Sequence, residues 1–63
     1  MNEDYYREQR AELVKQFWFL KSKRLYMSAK ARVRKIAELD LEFKGTPKEE
    51  TYSRFNYDKI RSL

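Results

Sequence analysis

Topology in this chain turns on residues 17–36, FWFLKSKRLYMSAKARVRKI. They sit inside a run, 4 to 44, that contains neither Gly nor Pro and is rich in Glu, Lys, Arg, Leu, Ala and Gln, all good helix formers. Helix is expected throughout, and the open question is whether it forms one rod or two. At ~100° per residue, Tyr6, Leu13, Val14, Phe17 and Leu20 cluster on one side. Ala29, Val33, Ile36, Asp40 and Phe43 cluster on another, rotated by roughly 140°. A shared seam would drift only ~20° per heptad, so no single apolar stripe runs through. A break near Tyr26–Ser28, with Ser28 capping the second piece, reconciles the two faces. One long, kinked helix is the competing reading, because a helix–helix turn often uses Gly and none is available here.

Downstream, Gly45-Thr46-Pro47 is the strongest punctuation. Gly45 suits the left-handed residue that ends a helix. Thr46 reads as an N-cap, Pro47 as the first helical residue and Glu49 as the partner in a capping box. A helix over about 47–62 follows, with Tyr52, Phe55, Ile60 and Leu63 toward one side. Upstream, Asn2 or Asp4 can cap the start, and Glu3, Asp4 and Glu8 suit the positive end of the helix dipole. Strict alternation and β-branched runs are missing, which speaks against strands. The expectation is an all-α single domain, with helices at about 3–26, 28–44 and 47–62, arranged as a small bundle or as a hairpin plus a C-terminal helix.

The chain has 63 residues, with 15 Lys and Arg against 10 Asp and Glu, no Cys and no His. A domain this short hides only about 60% of its unfolded surface and usually needs a disulfide, a metal or a partner. The missing Cys and His remove the disulfide and the usual zinc and iron ligands. Association remains, so a homo-oligomer is expected. The same absences remove the commonest general base and the most reactive nucleophile, and no cofactor or metal is expected. High charge (40%) and a mean hydropathy of −1.00 would suit a disordered chain, but 16% aromatic residues favour order. No apolar run approaches the ~20 residues of a membrane span. The acidic start Met1-Asn2-Glu3-Asp4 is unlike a signal peptide, so a cytoplasmic location is expected.

Two features point to partners. From Leu13 to Ala37 there are eight cations and no acid. Crowded on one end of a hairpin, such like charges repel, so folding gains nothing from them and an anionic partner is implied. Nucleic acid is the leading expectation, with Lys21, Lys23, Arg24, Lys30, Arg32, Arg34 and Lys35 on phosphates and Tyr26 stacking on a base. An acidic protein surface is the alternative, and a membrane surface is the weakest of the three. A helix-turn-helix with Ser28–Leu39 as recognition helix fits poorly, since Ser22 and Lys23 fall where apolar or small residues are wanted. No zinc-finger or RNA-recognition motif is present.

The second feature is Phe17-Trp18-Phe19-Leu20, whose side chains point to most of the helix circumference. A one-sided helix cannot bury all four. Phe17, Trp18, Phe19 and Tyr26 are therefore candidates for a partner or oligomer contact. The competing reading buries Phe17 and Leu20 and spreads Trp18 and Phe19 over the other helices. Asp4, Glu8 and Glu12 form an i,i+4 acidic stripe that can pair with the basic segment of a second copy in an antiparallel dimer. Glu38, Asp40 and Glu42 alternate and so do not converge on a cation. A chain of this size and composition suits a phage- or plasmid-borne regulator, either nucleic-acid-binding or an adaptor and inhibitor of a host protein.

Overall fold

The computed structural model describes residues 3–60. Three helices follow in order, α1 Glu3–Ser22, α2 Tyr26–Lys44 and α3 Lys48–Arg54, and a short 3₁₀ turn, Tyr57–Lys59, closes the described chain. The fold is all-α, and the long helical run is two helices. The proposed Asn2 cap and the apolar Leu63 lie outside the described residues.

The break falls at 23–25, slightly before the expected Tyr26–Ser28, and Ser28 is not its cap. Arg24 takes the left-handed conformation at φ 62°. Its N–H donates to the Lys21 carbonyl at 3.0 Å, and the Leu25 N–H reaches back to the Leu20 carbonyl at 2.9 Å. This is the Schellman pattern, in which a left-handed residue satisfies the last carbonyls of a helix. Leu25 occupies the N-cap position of α2 with no side-chain cap. A residue other than Gly pays about 1–2 kcal/mol for this conformation, and the packing of α1 on α2 offsets it.

Gly45 ends α2 in the left-handed region at φ 67°, as its position predicts. The capping box does not form. Pro47, at ψ 143°, occupies the N-cap position of α3, no side chain caps the helix, and the first turn closes through the Glu50 N–H to the Pro47 carbonyl at 3.0 Å. The C-terminal helix is also shorter than expected, because Asn56 turns left-handed at φ 52° and the chain continues as the 3₁₀ turn. Asn tolerates that region better than most residues.

α1 and α2 form an antiparallel hairpin, and α3 folds back across it. Tyr5 and Tyr6 near the start of α1 meet Phe43 near the end of α2, with ring centroids 5.9 and 5.6 Å apart. Phe17, Ala29, Val33 and Ile60 form the centre of the core, with Leu20, Tyr26, Tyr52, Phe55 and Tyr57 packed against it. Phe17 meets Phe55 edge-to-face at 5.1 Å, an arrangement favoured by the ring quadrupoles. Phe17 thus belongs to the core, not to an outward contact, and Tyr26 is half-buried beside it.

A polar clasp ties the three helices together. Asp40 is buried, and its carboxylate accepts from Tyr6 Oη (2.6 Å), Arg10 Nε (2.9 Å), Thr51 Oγ1 (2.8 Å) and Arg10 Nη2 (3.4 Å). α1 supplies Tyr6 and Arg10, α2 the carboxylate, and α3 the threonine. Burial pushes the Asp40 carboxyl upward, but the bonds from Arg10, Tyr6 and Thr51 outweigh it and hold the group below its ordinary range. Burial and the bond it donates to Asp40 raise the Tyr6 phenol. No described buried side-chain polar atom is left without a partner.

Candidate nucleic-acid interface

The seven basic residues singled out by sequence do not share one face. On α2, Lys30 and Arg34 lie on the flank nearest the C-terminal segment. Lys30 Nζ stands 4.6 Å from the Tyr57 ring centroid, and Arg34 Nη1 donates to Tyr57 Oη at 2.8 Å. Arg32 lies toward α1, where its Nε donates to Gln16 Oε1 at 2.6 Å. Lys35 borders a shallow cleft with Tyr5, Gln9 and Leu13 on that same flank. The ~200° between Lys30 and Arg32 on a helix explains the division.

Lys21, Lys23 and Arg24 gather at the hairpin turn. Lys21 Nζ sits 5.2 Å from the Trp18 ring centroid and 5.8 Å from that of Phe17, while Lys23 Nζ is 5.7 Å from Phe19. These contacts cover aromatic surface with lysine stems and leave the charges in water. Lys21 also lines an open cavity of about 380 Å³, together with Tyr26, Asn56, Lys59 and Ile60.

Lys59 is a residue that sequence reasoning missed. It lies well outside the acid-free segment, and the expected regular helix over 47–62 gave no reason to bring it to the turn. The left-handed Asn56 does so by redirecting the chain. Lys21, Lys30, Arg34 and Lys59 thereby collect around the 56–60 segment.

None of these cations forms an ion pair among the described residues. The ion pairs found there involve Arg7 and Lys44 with Glu3, Arg10 with Asp40, and Arg54 with Glu50. Most acids lie elsewhere: Asp4, Glu8 and Glu12 lie along the outward side of α1, and Glu38 and Glu42 are exposed on α2. Asp58 is the exception, an exposed carboxylate within the 56–60 segment that lines a neighbouring cavity with Glu49, Tyr57 and Lys59 but forms no ion pair among the described residues.

Trp18 and Phe19 are 55% and 58% exposed, and Leu25 and Met27 are also exposed near the turn. The competing reading, in which Trp18 and Phe19 spread over the other helices, is not met, since both stay exposed. The two rings point ~100° apart, Trp18 toward Lys21 and Phe19 outward along α1.

No group of three His, Cys, Asp or Glu residues is placed to hold a metal ion among the described residues. Asp40 already accepts four hydrogen bonds, from Tyr6, Arg10 (two) and Thr51. No described helix is long and apolar enough to cross a membrane. No protein-family profile, curated protein or solved structure matches the chain.

Proposed function

We propose that this is a small non-enzymatic nucleic-acid-binding protein of regulatory role, working through the basic surface around residues 56–60 and the hairpin turn. The observation that carries the reading is the gathering of Lys21, Lys30, Arg34 and Lys59 without a carboxylate partner among the described residues. Cations that contribute no internal ion pair are free to displace counterions from phosphates. Arg34, held at its Tyr57 contact, offers its remaining guanidinium donors to a phosphate. Arg32 and Lys35 fall outside this surface.

The test is a binding titration with labelled DNA and RNA at several salt concentrations. The logarithm of affinity should fall linearly with the logarithm of salt, by about 0.7–0.9 for each phosphate contacted. A flat salt response, or no binding at low salt, removes the reading.

A second copy completes the unit. The outward side of α1 carries Asp4, Glu8 and Glu12 in its first half and then Lys15 and Phe19, with Lys23 and Arg24 just beyond its end. Two such helices paired antiparallel set the acids of each against the cations of the other and cover Phe19. This is an isologous contact of the kind that twofold dimers use.

An adaptor that docks on an acidic protein surface through Trp18 is the second reading, favoured by the exposure of that ring. Affinity purification from the native cell, with and without nuclease, separates the two. Nuclease-sensitive recovery supports nucleic acid, and a single nuclease-resistant protein supports the adaptor.

A further inference from the structure

We infer that the cavity between the hairpin turn and the 3₁₀ segment is a phosphodiester site for single-stranded nucleic acid, with Trp18 beside it as the platform for a neighbouring base. This rests on the nucleic-acid reading above and narrows it to one strand and one site.

Three observations converge. Lys21, Lys59, Asn56 and Tyr26 bring two ammonium groups, a carboxamide and a phenol to one open cavity of about 380 Å³. None of these four side chains has a hydrogen bond or ion pair among the described residues, and no carboxylate lines the space. A phosphate dianion or diester accepts from such donors, and charge-assisted bonds of this type are the strong ones. Apart from the apolar Ile60, the cavity thus presents cationic and hydrogen-bonding groups and no carboxylate.

Trp18 adds the second half. It is the only Trp in the chain, it is 55% exposed, and Lys21 links it to the cavity by standing 5.2 Å from its ring centroid. A base stacks on an exposed indole only if it is free of its own stack, which a single strand permits and a duplex resists.

The experiment uses the full chain and three labelled probes: a short oligothymidylate, a short oligouridylate and a duplex of the same length. Anisotropy of the label reports binding, and Trp18 fluorescence reports stacking. Both single strands should bind at least about tenfold tighter than the duplex and quench Trp18. A preference between the thymidylate and the uridylate assigns DNA or RNA without altering the inference. Lys21→Gln/Lys59→Gln should lower single-strand affinity by about tenfold or more, whereas Lys35→Gln/Lys48→Gln, of equal net charge, should change it by less than about twofold. Thermal melts accompany both variants; if the first melts early, Lys59→Gln alone replaces it.

Binding of the duplex as tight as that of the strands, with Trp18 fluorescence unmoved, overturns the site while leaving nucleic-acid binding intact. Equal losses in the two charge-matched variants overturn it as well. Absence of binding by all three probes at low salt overturns both this inference and the reading beneath it.

Discussion

Asp40 illustrates how one side chain organises a small fold. An aspartate on an apolar helical stripe, four residues after Ile36, is costly to bury unless it is fully bonded. Here Tyr6 and Arg10 from α1 and Thr51 from α3 bond it. Such a pair adds little net stability over an apolar packing, but breaking it is expensive. Asp40→Ala should therefore lower unfolding free energy by about 3 kcal/mol, measured by urea denaturation.

The pH dependence has a definite sign. The folded carboxyl of Asp40 lies below its unfolded value of about 3.9, so the unfolded state binds more protons in acid. The stabilisation is complete above about pH 5 and is lost as pH falls through 4 and below. Tyr6 acts in the opposite direction. Its folded pKa is raised, so its contribution is present below about pH 10 and fades as pH climbs through the folded value. Melting temperatures across both limbs check this, and Tyr6→Phe should remove the alkaline limb. Arg24 is a residue at which stability can be gained. Its left-handed backbone favours Gly, and Arg24→Gly should raise stability by about 0.5–1 kcal/mol.

At the level of elements, α3 is the most weakly anchored. It has seven residues, too few to persist alone, and it is held by Thr51 on Asp40 and Phe55 on Phe17. Thr51→Val keeps the shape and removes the donated bond. It should cost about 1–2 kcal/mol and speed hydrogen exchange in α3 before it does so in α1 and α2. The helices were legible from residue chemistry in uneven degree. Two apolar faces at different angles announced a hairpin, and Gly45 announced the end of α2. The break itself came early because, with no Gly to mark it, Arg24 was forced into a conformation its type does not advertise. The capping box failed for a related reason. Thr46 and Glu49 match the pattern, but Pro47 takes the cap position, and its extended ψ removes Thr46 from reach. Asp40 shares a helical face with Ala29, Val33 and Ile36, but its burial and its donors are not legible in the sequence, since Tyr6 and Arg10 are distant from it and only the fold unites them. Lys59 was hidden by the assumption of a continuous last helix.

For the molecule as a whole, shape and charge argue together. It measures 37 × 20 × 13 Å, thin enough that large side chains such as Trp18 and Phe19 find no third layer to cover them. The antiparallel pairing of α1 would cover Phe19. Sedimentation at rising salt should show a dimer that dissociates as the acid–base contacts are screened. Phe19→Ser should give a monomer with a nearly unchanged far-ultraviolet circular dichroism spectrum. A monomer at all concentrations in the wild-type chain would refute the pairing.

The clasp at Asp40 and the left-handed turn at Arg24 stand about four helical turns, roughly 22 Å, apart along α2. The polar clasp and the exposed cations of the turn therefore barely overlap. Substitutions of those exposed side chains can accumulate with little penalty to folding, so selection is free to retune affinity there while the clasp, together with the buried Phe17, Ala29 and Ile60, keeps the architecture constant.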